Sequence, residues 1–479
     1  MRKSVLCFSR SYLAVLCPTL GEMDVNRDYY YIVQSDQEER TVTEKGGKVV
    51  MNISRLIKEN IHSDNLKWEE PDDFRSLTDF NWSPVLSDRY LIEFSVKERE
   101  KIAAALFKGI SELFNTHKFD FLLSEPVALF TTHVLYYFCL KNGTQPKFFN
   151  PCYFPGYFYF TNSISDRMPY SLNESRKEKL SNEVLEKINS FGMGIIEDKS
   201  GPSYHFQFLG KNKPNYFNQR KGSAPPITNT TFKVKLIQVV RVLRAFGYNK
   251  LFPILSDFQV AGSLSEHVFY LKCLIASKRG YDKLPVEYEK GALLYPLHYE
   301  PEASLLYYGL PYFNQIDLIE VILRMLPKGH VLYMKEHPNQ FGALKAKKWL
   351  DLRKKYGNVK FIYGRESGRK LMKNVNSIVT INSTAGLDAA IIGKRVFVLG
   401  EVFYKKFPGI QAVNALNDLG LYLKNLRSDQ HNENHFDGII NGLADIVRQS
   451  YPGNPGPSFD LYSEENLKNI LFAIDSEFV

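Results

Sequence analysis

The sequence has few cysteines, and they are not arranged in pairs. Five cysteines occur among 479 residues, none of them in a Cys-X-X-Cys spacing, and none follows Cys273. Disulfide frameworks and structural zinc sites need paired or closely spaced cysteines. The sequence therefore predicts neither a disulfide-stapled domain nor a zinc centre, and it favours a reducing compartment.

Long apolar runs are also missing. No segment approaches the roughly 18 consecutive apolar residues that a membrane-spanning helix requires. The start of the chain, Met-Arg-Lys followed by apolar residues, is similar to a signal peptide, but Arg10 interrupts the run and Pro18 ends it. We interpret this segment as a first β-strand, and we expect a cytoplasmic protein.

The charge is unevenly distributed. A net charge of +9 favours an anionic partner, which leaves nucleic acid, an acidic membrane surface and phosphate-bearing substrates open. Residues 331–375 contain twelve lysines and arginines but only three acidic residues. The basic stretch at 345–355 is typical of a solvated helix face, and its alternative use is peripheral docking to anionic lipid on the inner face of the membrane.

Strand and helix patterns alternate along the chain. In the first half, apolar spacing predicts helices at 97–116 and 127–140 and strands at 119–123 and 147–149. A further helix is predicted at 232–246, and from residue 291 to residue 399 strands and helices alternate regularly. This rhythm indicates parallel sheets with helices on both faces.

The length of the chain exceeds what one hydrophobic core usually organises. We therefore expect an α/β protein whose two Rossmann-like domains face each other across a cleft. The first domain comprises residues 1–245, with a loop insertion near 209–231, and the second comprises residues 287–455. Residues 246–286 are predicted to form a helical connection, and residues 456–479 a helix that packs back on the first domain.

Polar segments follow three predicted strands of the second domain. They are 295–302 (Tyr-Pro-Leu-His-Tyr-Glu-Pro-Glu), 335–338 (Lys-Glu-His-Pro) and 382–386 (Asn-Ser-Thr-Ala-Gly). In parallel sheets, ligands bind at the carboxyl ends of strands, where helix N-termini offer free N–H groups. These segments are therefore predicted to form one ligand site.

Several side chains of these segments suit a phosphate-bearing ligand. Ser383 or Thr384 can cap the next helix, whose amides an oxyanion could approach. Lys335 and His337 could both address a phosphate leaving group, although a solvent-exposed turn with an incidental histidine is equally consistent with the residues. His298 is consistent either with a residue of this ligand site or with a buried turn position.

Two acids in this region have an open role. Glu300 and Glu302 flank a proline, and they suit contacts with ribose hydroxyls or a solvated loop.

Glu125 is the best candidate for acid–base chemistry in the first domain, because it directly follows an apolar strand and precedes a helix. A carboxylate there can act as a general acid or base, or it can complement the helix N-terminus. Asp166 and Arg167 are weaker candidates of the same kind. They follow the aromatic run 153–160, which is either core or a stacking surface for a sugar or nucleobase.

The segments 295–302, 335–338 and 382–390, with Gly-Glu-Val-Phe-Tyr at 400–404, resemble the bacterial capsule polysaccharide biosynthesis family. That family includes retaining β-Kdo transferases and has the GT-B fold. The His-Pro and Ser/Thr elements also look like those of bacterial sialyltransferases, in which the histidine and the hydroxyls hold the CMP phosphate.

The resemblance implies a metal-independent glycosyltransferase that moves Kdo or another CMP-activated acidic sugar to a surface polysaccharide or glycolipid. It also implies which residues bind the nucleotide. Four of them would lie at the phosphate: Lys335, His337, Ser383 and Thr384. The others are Glu302, Pro296 and His298. Glu302 would reach the ribose. Glu125, or else Asp166, would be the catalytic carboxylate.

Other classes stay open. GT-B nucleotide-sugar 2-epimerases and polyol-phosphate transferases share a similar closing helix motif, but they usually lack the Lys-Glu-His-Pro run. A non-enzymatic protein that binds an anionic polymer should carry basic residues interleaved with exposed aromatics on one surface. We expect the transferase, with no nucleic-acid partner and no cofactor or metal besides the donor nucleotide.

Overall fold

The computed structural model describes most of the chain. The described residues are 2–62, 87–88, 90–92, 94–165, 167–169, 180–198, 232–246, 268, 271, 280–289, 291–300, 303–337, 342–364, 366–425, 435–456 and 460–479. The predicted loop at 209–231 and most of the predicted connection at 246–286 lie outside these residues.

The strands occupy the apolar runs of the sequence. In chain order they are β1 (Lys3–Phe8), β2 (Arg27–Val33), β3 (Lys48–Asn52), β4 (Phe121–Ser124), β5 (Gln145–Pro151), β6 (Tyr157–Thr161), β7 (Gly291–Pro296), β8 (His330–Lys335), β9 (Val359–Ile362), β10 (Ser377–Thr380), β11 (Arg395–Val398), β12 (Ile410–Ala412) and β13 (Tyr451–Pro452). The N-terminal segment is thus a strand, as predicted.

Helices connect these strands. They are α1 (Leu13–Met23), α2 (Asp36–Glu44), α3 (Ile53–Asn60), α4 (Val96–Thr116), α5 (Phe130–Lys141), α6 (Asn182–Ile196), α7 (Phe232–Ala245), α8 (Ala303–Tyr308), α9 (Gln315–Met325), α10 (Lys347–Lys355), α11 (Gly368–Asn374), α12 (Ala385–Ile391), α13 (Leu416–Lys424), α14 (Phe436–Arg448) and α15 (Glu464–Glu477). None of the described helices is long and apolar enough to cross a membrane.

Local sequence signals account for several helix boundaries. Helix α4 begins at a capping box, in which the Ser95 hydroxyl accepts from the Glu98 amide and the Glu98 carboxylate accepts from the Ser95 amide. The basic stretch at 345–355, predicted to lie on one helix, instead spans the end of a 3₁₀ turn (Ala343–Lys345) and helix α10. The extended backbone of Ala346 separates the two, which breaks the regular helical hydrogen bonding.

The first sheet has the strand order β13-β6-β5-β4-β1-β2-β3 in the described part of the chain. Strands β1 to β5 are parallel, whereas β6 and β13 run antiparallel to their neighbours. The second sheet is parallel throughout and has the order β12-β11-β10-β7-β8-β9. Each sheet therefore reverses its strand order at one point, between β1 and β4 and between β7 and β10.

Strands at these reversals are buried on both faces. In β1, Leu6 and Phe8 pack into one apolar cluster, and Val5 and Cys7 pack into the cluster on the opposite face. Alternation of this kind follows from the two-residue period of a strand. Burial on both faces explains why the central strands appear as continuous apolar runs in the sequence.

The chain returns to the first domain near its end. Strand β13 pairs with β6, so the return occurs at Tyr451, ahead of residue 456, where the sequence placed the boundary. Helix α15 then packs on the first sheet through the apolar side chains of Ile470 and Ile474.

A buried ion pair fixes this returning helix. The Lys147 Nζ atom of β5 lies 3.3 Å from the Glu477 carboxylate of α15, and both side chains are almost fully buried. The Tyr451 hydroxyl donates to the same carboxylate at 2.7 Å. Burial lowers the pKa of Lys147, and the Glu477 charge acts against that change.

We expect Glu477→Gln to lower the free energy of unfolding by about 3–5 kcal/mol, because it leaves the buried Lys147 ammonium without a countercharge. Urea denaturation followed by circular dichroism measures this change. Glu464→Gln on the same helix is the matched control, since the Glu464–Lys468 pair is exposed and should leave stability unchanged. Equal stability of the two variants would show that the buried pair does not hold the helix.

Candidate functional site

A cavity of about 540 Å³ lies between the two domains. Both strand-order reversals open into it, and residues of both domains line it, among them Arg10, Glu125, Tyr153, Tyr308, Asn382 and Thr384. Ligands of doubly wound sheets bind at such reversals. The predicted fold, two Rossmann-like domains facing each other across a cleft in a GT-B-like arrangement, is confirmed.

Glu125 lines the cavity from the first domain. It directly follows β4, and its side chain is 18% exposed. The Arg10 Nη2 atom donates to its Oε1 atom at 2.7 Å. Arg10 follows β1, the parallel neighbour of β4, so the two side chains emerge together at the same sheet edge. The sequence contained a signal for this partner, because Arg10 is the first charged residue after the apolar run of β1.

The Arg10 guanidinium is buried among acidic groups. Burial by itself would lower its pKa, but the charges of Glu125 and Glu38 and the Tyr90 hydroxyl together raise that pKa above its ordinary value. The Glu38 carboxylate also accepts from the backbone amides of Ser11 and Gln34, which follow β1 and β2. This network holds Arg10 in its charged form at the cavity wall.

The second candidate carboxylate, Asp166, lies outside the described residues. Its neighbour Arg167 lines the cavity, with its guanidinium 4.1 Å from the centre of the Tyr308 ring. The Tyr308 hydroxyl donates to the carbonyl of Val127 at 2.9 Å, and burial raises the pKa of Tyr308 to about 12. Helix α8 of the second domain is thereby joined to the first domain beside Glu125.

The aromatic run at 153–160 has two roles in the structure. Phe158 and Phe160 are core residues that pack against Tyr451. Tyr153 and Tyr159 are also buried in an apolar cluster, and in addition they line the cavity. The core interpretation therefore holds for Phe158 and Phe160, whereas Tyr153 and Tyr159 are core residues that also face the cavity.

The loop between β10 and α12 forms the opposite wall of the cavity. The Ser383 hydroxyl accepts from the Ala385 amide at 3.2 Å, whereas the Thr384 hydroxyl does not cap the helix and its side chain faces the cavity. Asn382 donates to the Ser304 carbonyl at 2.6 Å, and its Oδ1 atom is buried without a hydrogen-bond partner. An unsatisfied buried acceptor of this kind is costly unless a ligand or water satisfies it.

His298 lies beneath this loop. Its Nε2 atom is 3.5 Å from the Asn382 amide and 3.5 Å from the Thr380 hydroxyl, and Gln315 binds both backbone groups of His298. Burial, together with the nearby His337, lowers the pKa of His298 to about 3. His298 is therefore a neutral, buried support of the loop, and the preceding Pro296 ends β7.

The Lys-Glu-His segment follows β8, as predicted. The Lys335 ammonium donates to the carbonyls of Gly364 at 2.9 Å and Glu336 at 3.2 Å, and burial lowers the pKa of Lys335 to about 8. It therefore points toward the turn after β9. His337 is half-buried, and its ring lies 6.0 Å from that of Tyr299. Among the described residues, neither Lys335 nor His337 lines the interdomain cavity.

Of the two acidic residues in the loop after β7, Glu300 lies among the described residues. Glu302 lies outside the described residues. Glu300 accepts from Gln315 at 2.7 Å and from Lys348 at 3.2 Å. Glu300 thus helps to hold the loop after β7 against α9 and α10.

Residues 283–431 match the model of a family described as capsule polysaccharide biosynthesis protein. Among curated proteins, no sequence matches the chain at a significant level.

Several solved structures are similar at low identity. A beta Kdo 2,7 transferase, KpsC of Thermosulfurimonas dismutans, is 12% identical, with 77% of this chain and 88% of that chain covered and a TM-score of 0.33. UDP-GlcNAc 2-epimerase of Methanocaldococcus jannaschii, in complex with UDP-GlcNAc and UDP, is 14% identical, with coverages of 94% and 99% and a TM-score of 0.29. The wall teichoic acid polymerase TagF is 11% identical, with coverages of 99% and 88% and a TM-score of 0.25.

The matched region begins just before β7 and ends after α13, so it contains each of the motifs on which the resemblance was based. It includes helix α8 and the loop after β10, which line one side of the cavity. Residues 283–431 are thus similar to the capsule polysaccharide biosynthesis family, the family that the motifs resemble.

Proposed function

We propose that the protein is a glycosyltransferase of capsule polysaccharide synthesis. In this proposal it moves Kdo, or another CMP-linked acidic sugar, from the nucleotide to a polysaccharide or glycolipid acceptor. The observation that carries the proposal is the interdomain cavity, which combines a carboxylate of the first domain with the polar loop after β10 of the family-matched domain.

The second domain would bind the donor nucleotide. The Thr384 side chain and the unsatisfied Oδ1 atom of Asn382 lie at the carboxyl end of β10, where parallel sheets bind phosphates and nucleotides. His337 lies outside the lining of the cavity, and it would contact a phosphate that extends toward the loop after β8. Lys335 would contribute its positive charge without contacting the phosphate directly, because backbone carbonyls already bind its ammonium.

The first domain would supply the acid–base group. The ion pair with Arg10 is made by the ionised form of Glu125, which suits acceptance of a proton from an acceptor hydroxyl better than donation of one. A charged guanidinium beside the carboxylate also fixes its orientation. Glu125 would therefore act as a general base on the acceptor.

The proposal includes turnover without a bound metal. Amide N–H groups of the β10–α12 loop and the His337 side chain would neutralise the charge that develops on the leaving phosphate. Preorganised donors of this kind need no reorganisation during the reaction, which is the physical reason they can replace a cation.

We expect CMP or CDP to raise the melting temperature more than UMP or GMP, because the His-Pro and Ser/Thr elements resemble those of CMP-sugar users. A ligand at about 100 times its Kd adds about 2.7 kcal/mol to the free energy of unfolding. Differential scanning fluorimetry with each nucleotide at the same concentration measures the preference. A clear preference for UDP would reject the CMP donor and favour the epimerase alternative.

We expect His337→Ala to weaken CMP binding about tenfold or more without lowering the melting temperature, because the half-buried His337 would touch the ligand. Isothermal titration calorimetry measures the affinity. His298→Ala is the contrasting variant, since it removes a buried side chain beneath the loop and should lower the melting temperature. Loss of stability with unchanged affinity in His337→Ala would make that histidine structural.

We expect Glu125→Gln to reduce turnover by at least about 10²-fold, because a positioned general base contributes roughly 10²–10⁴-fold to the rate. Glutamine retains the shape of the side chain and can still accept from Arg10, so nucleotide affinity should stay close to wild type. Glu38 remains as a countercharge for the buried Arg10, so stability should fall by less than in Glu477→Gln. Glu401→Gln is the matched control, since Glu401 lines the same cavity from the second domain. Wild-type turnover in Glu125→Gln would direct attention to Asp166.

A further inference from the structure

The charged side chains that line the interdomain cavity, among the described residues, are Arg10, Glu125, Arg167 and Glu401. Arg10 pairs with Glu125 at 2.7 Å. The Glu401 carboxylate pairs with Lys405 at 2.8 Å. Arg167 differs from them, because none of the carboxylates in the described part of the chain forms an ion pair with it. Its guanidinium is therefore a positive charge of the cavity wall that the described residues leave uncompensated.

The Tyr308 ring holds the Arg167 side chain in place. The guanidinium carbon lies 4.1 Å from the centre of that ring. The Arg167 backbone carbonyl also accepts from the Tyr159 hydroxyl at 3.2 Å. A cation over an aromatic ring is attracted by the ring quadrupole rather than by a countercharge. The side chain is thus positioned in advance, while its charge stays available to an anion.

Helix α8 links this guanidinium to the loop after β10. Ser304 and Tyr308 are four residues apart on that helix, which places them on one face with about 5–6 Å between their Cβ atoms. The Ser304 carbonyl accepts from the Asn382 side chain at 2.6 Å. Tyr308 carries Arg167 on its ring. The guanidinium therefore lies about one helical turn from the loop that would hold the donor phosphate.

The same tyrosine also contacts the side of the cavity that contains Glu125. Its hydroxyl donates to the carbonyl of Val127, two residues beyond Glu125, at 2.9 Å. In the proposed function the donor sugar lies between the phosphate at the β10–α12 loop and the acceptor at Glu125. The sugar would therefore occupy the part of the cavity that Arg167 lines.

We propose that Arg167 binds the carboxylate of the donor sugar and thereby selects acidic sugars over neutral ones. This inference rests on the proposed function, which places a sugar beside the guanidinium. Guanidinium N–H groups form a planar fork that matches the two oxygens of a carboxylate. A site built for a polar group rejects an analogue that lacks this group, because the protein side chain then stays unpaired. An acidic sugar supplies the countercharge for Arg167, and a neutral sugar does not.

Arg10, the other guanidinium of the described cavity wall, suits this role less well. Its Nη2 atom already donates to Glu125, and the Glu38 charge adds to the compensation. An anion placed against Arg10 would also approach the Glu125 carboxylate, and two negative charges at such a distance repel each other. The geometry therefore favours Arg167 as the residue that binds the carboxylate.

Equilibrium binding without an acceptor tests the proposal on two pairs of probes. CMP-Kdo carries a carboxylate that CMP lacks, and UDP-glucuronate carries a carboxylate where UDP-glucose has a hydroxymethyl group. We expect Arg167→Gln to raise the Kd for CMP-Kdo at least about tenfold and to leave the Kd for CMP unchanged, because only the sugar carboxylate loses its charge-assisted hydrogen bonds. Isothermal titration calorimetry measures each Kd.

The second pair of probes separates this proposal from the proposed function. A wild-type protein that binds the UDP probes but neither CMP probe would reject the CMP donor, and Arg167→Gln should then weaken the binding of UDP-glucuronate alone. Equal weakening of both members of a pair would assign Arg167 to the phosphate and overturn the proposal. Unchanged affinities for all four probes in Arg167→Gln would overturn it as well.

Two further variants separate the guanidinium fork from positive charge in general. Arg167→Lys retains the charge but loses the paired N–H donors, so we expect it to weaken CMP-Kdo binding less than Arg167→Gln does. Lys405→Gln is the matched control, because it removes a positive charge that Glu401 already compensates, and it should leave all four affinities at the wild-type level. A lower melting temperature of Arg167→Gln with unchanged affinities would make Arg167 a support of Tyr308 and contradict the proposal.

Discussion

The cleft depends on buried tyrosine hydroxyls that join the two domains. Tyr307 donates to the buried Asp88 at 3.0 Å, and Tyr308 donates to the Val127 carbonyl at 2.9 Å. On the other side, the Tyr153 hydroxyl of the first domain donates to Asp388 of the second. A buried polar group that loses its partner costs free energy, so these contacts oppose separation of the domains. The cavity exists because the two sheet edges are held face to face.

Buried charged side chains at this interface are each compensated by a countercharge and by hydrogen bonds. Burial raises the pKa of Asp388, while the Arg369 guanidinium 3.2 Å away and the Tyr153 hydroxyl act in the opposite direction. Arg10 is compensated by Glu125 and Glu38 in the same way. A buried ion needs both a countercharge and hydrogen bonds. Such networks also restrict the positions that a side chain such as Glu125 can occupy.

Much of the fold was predictable, because it rests on local patterns. The central strands are buried on both faces, and their continuous apolar runs and the helices between them were visible in the sequence. The strand-end position of Glu125 and of the loop after β10 followed from the same patterns. The direction of the Lys335 side chain did not, because it depends on the carbonyl of Gly364 in a neighbouring loop. The buried place of His298 beneath Asn382 likewise depends on a contact across the sheet.

The sequence by itself determined the two α/β domains, the resemblance of residues 283–431 to the capsule polysaccharide biosynthesis family and the polar segments that end the strands, because hydrophobic periodicity and motif residues are local properties of the chain. Only the tertiary structure decided which of these segments meet. Arg10 and Glu125 are 115 positions apart and become partners because β1 and β4 are parallel neighbours. Packing between distant segments has no local signature, and for that reason it lay beyond the sequence.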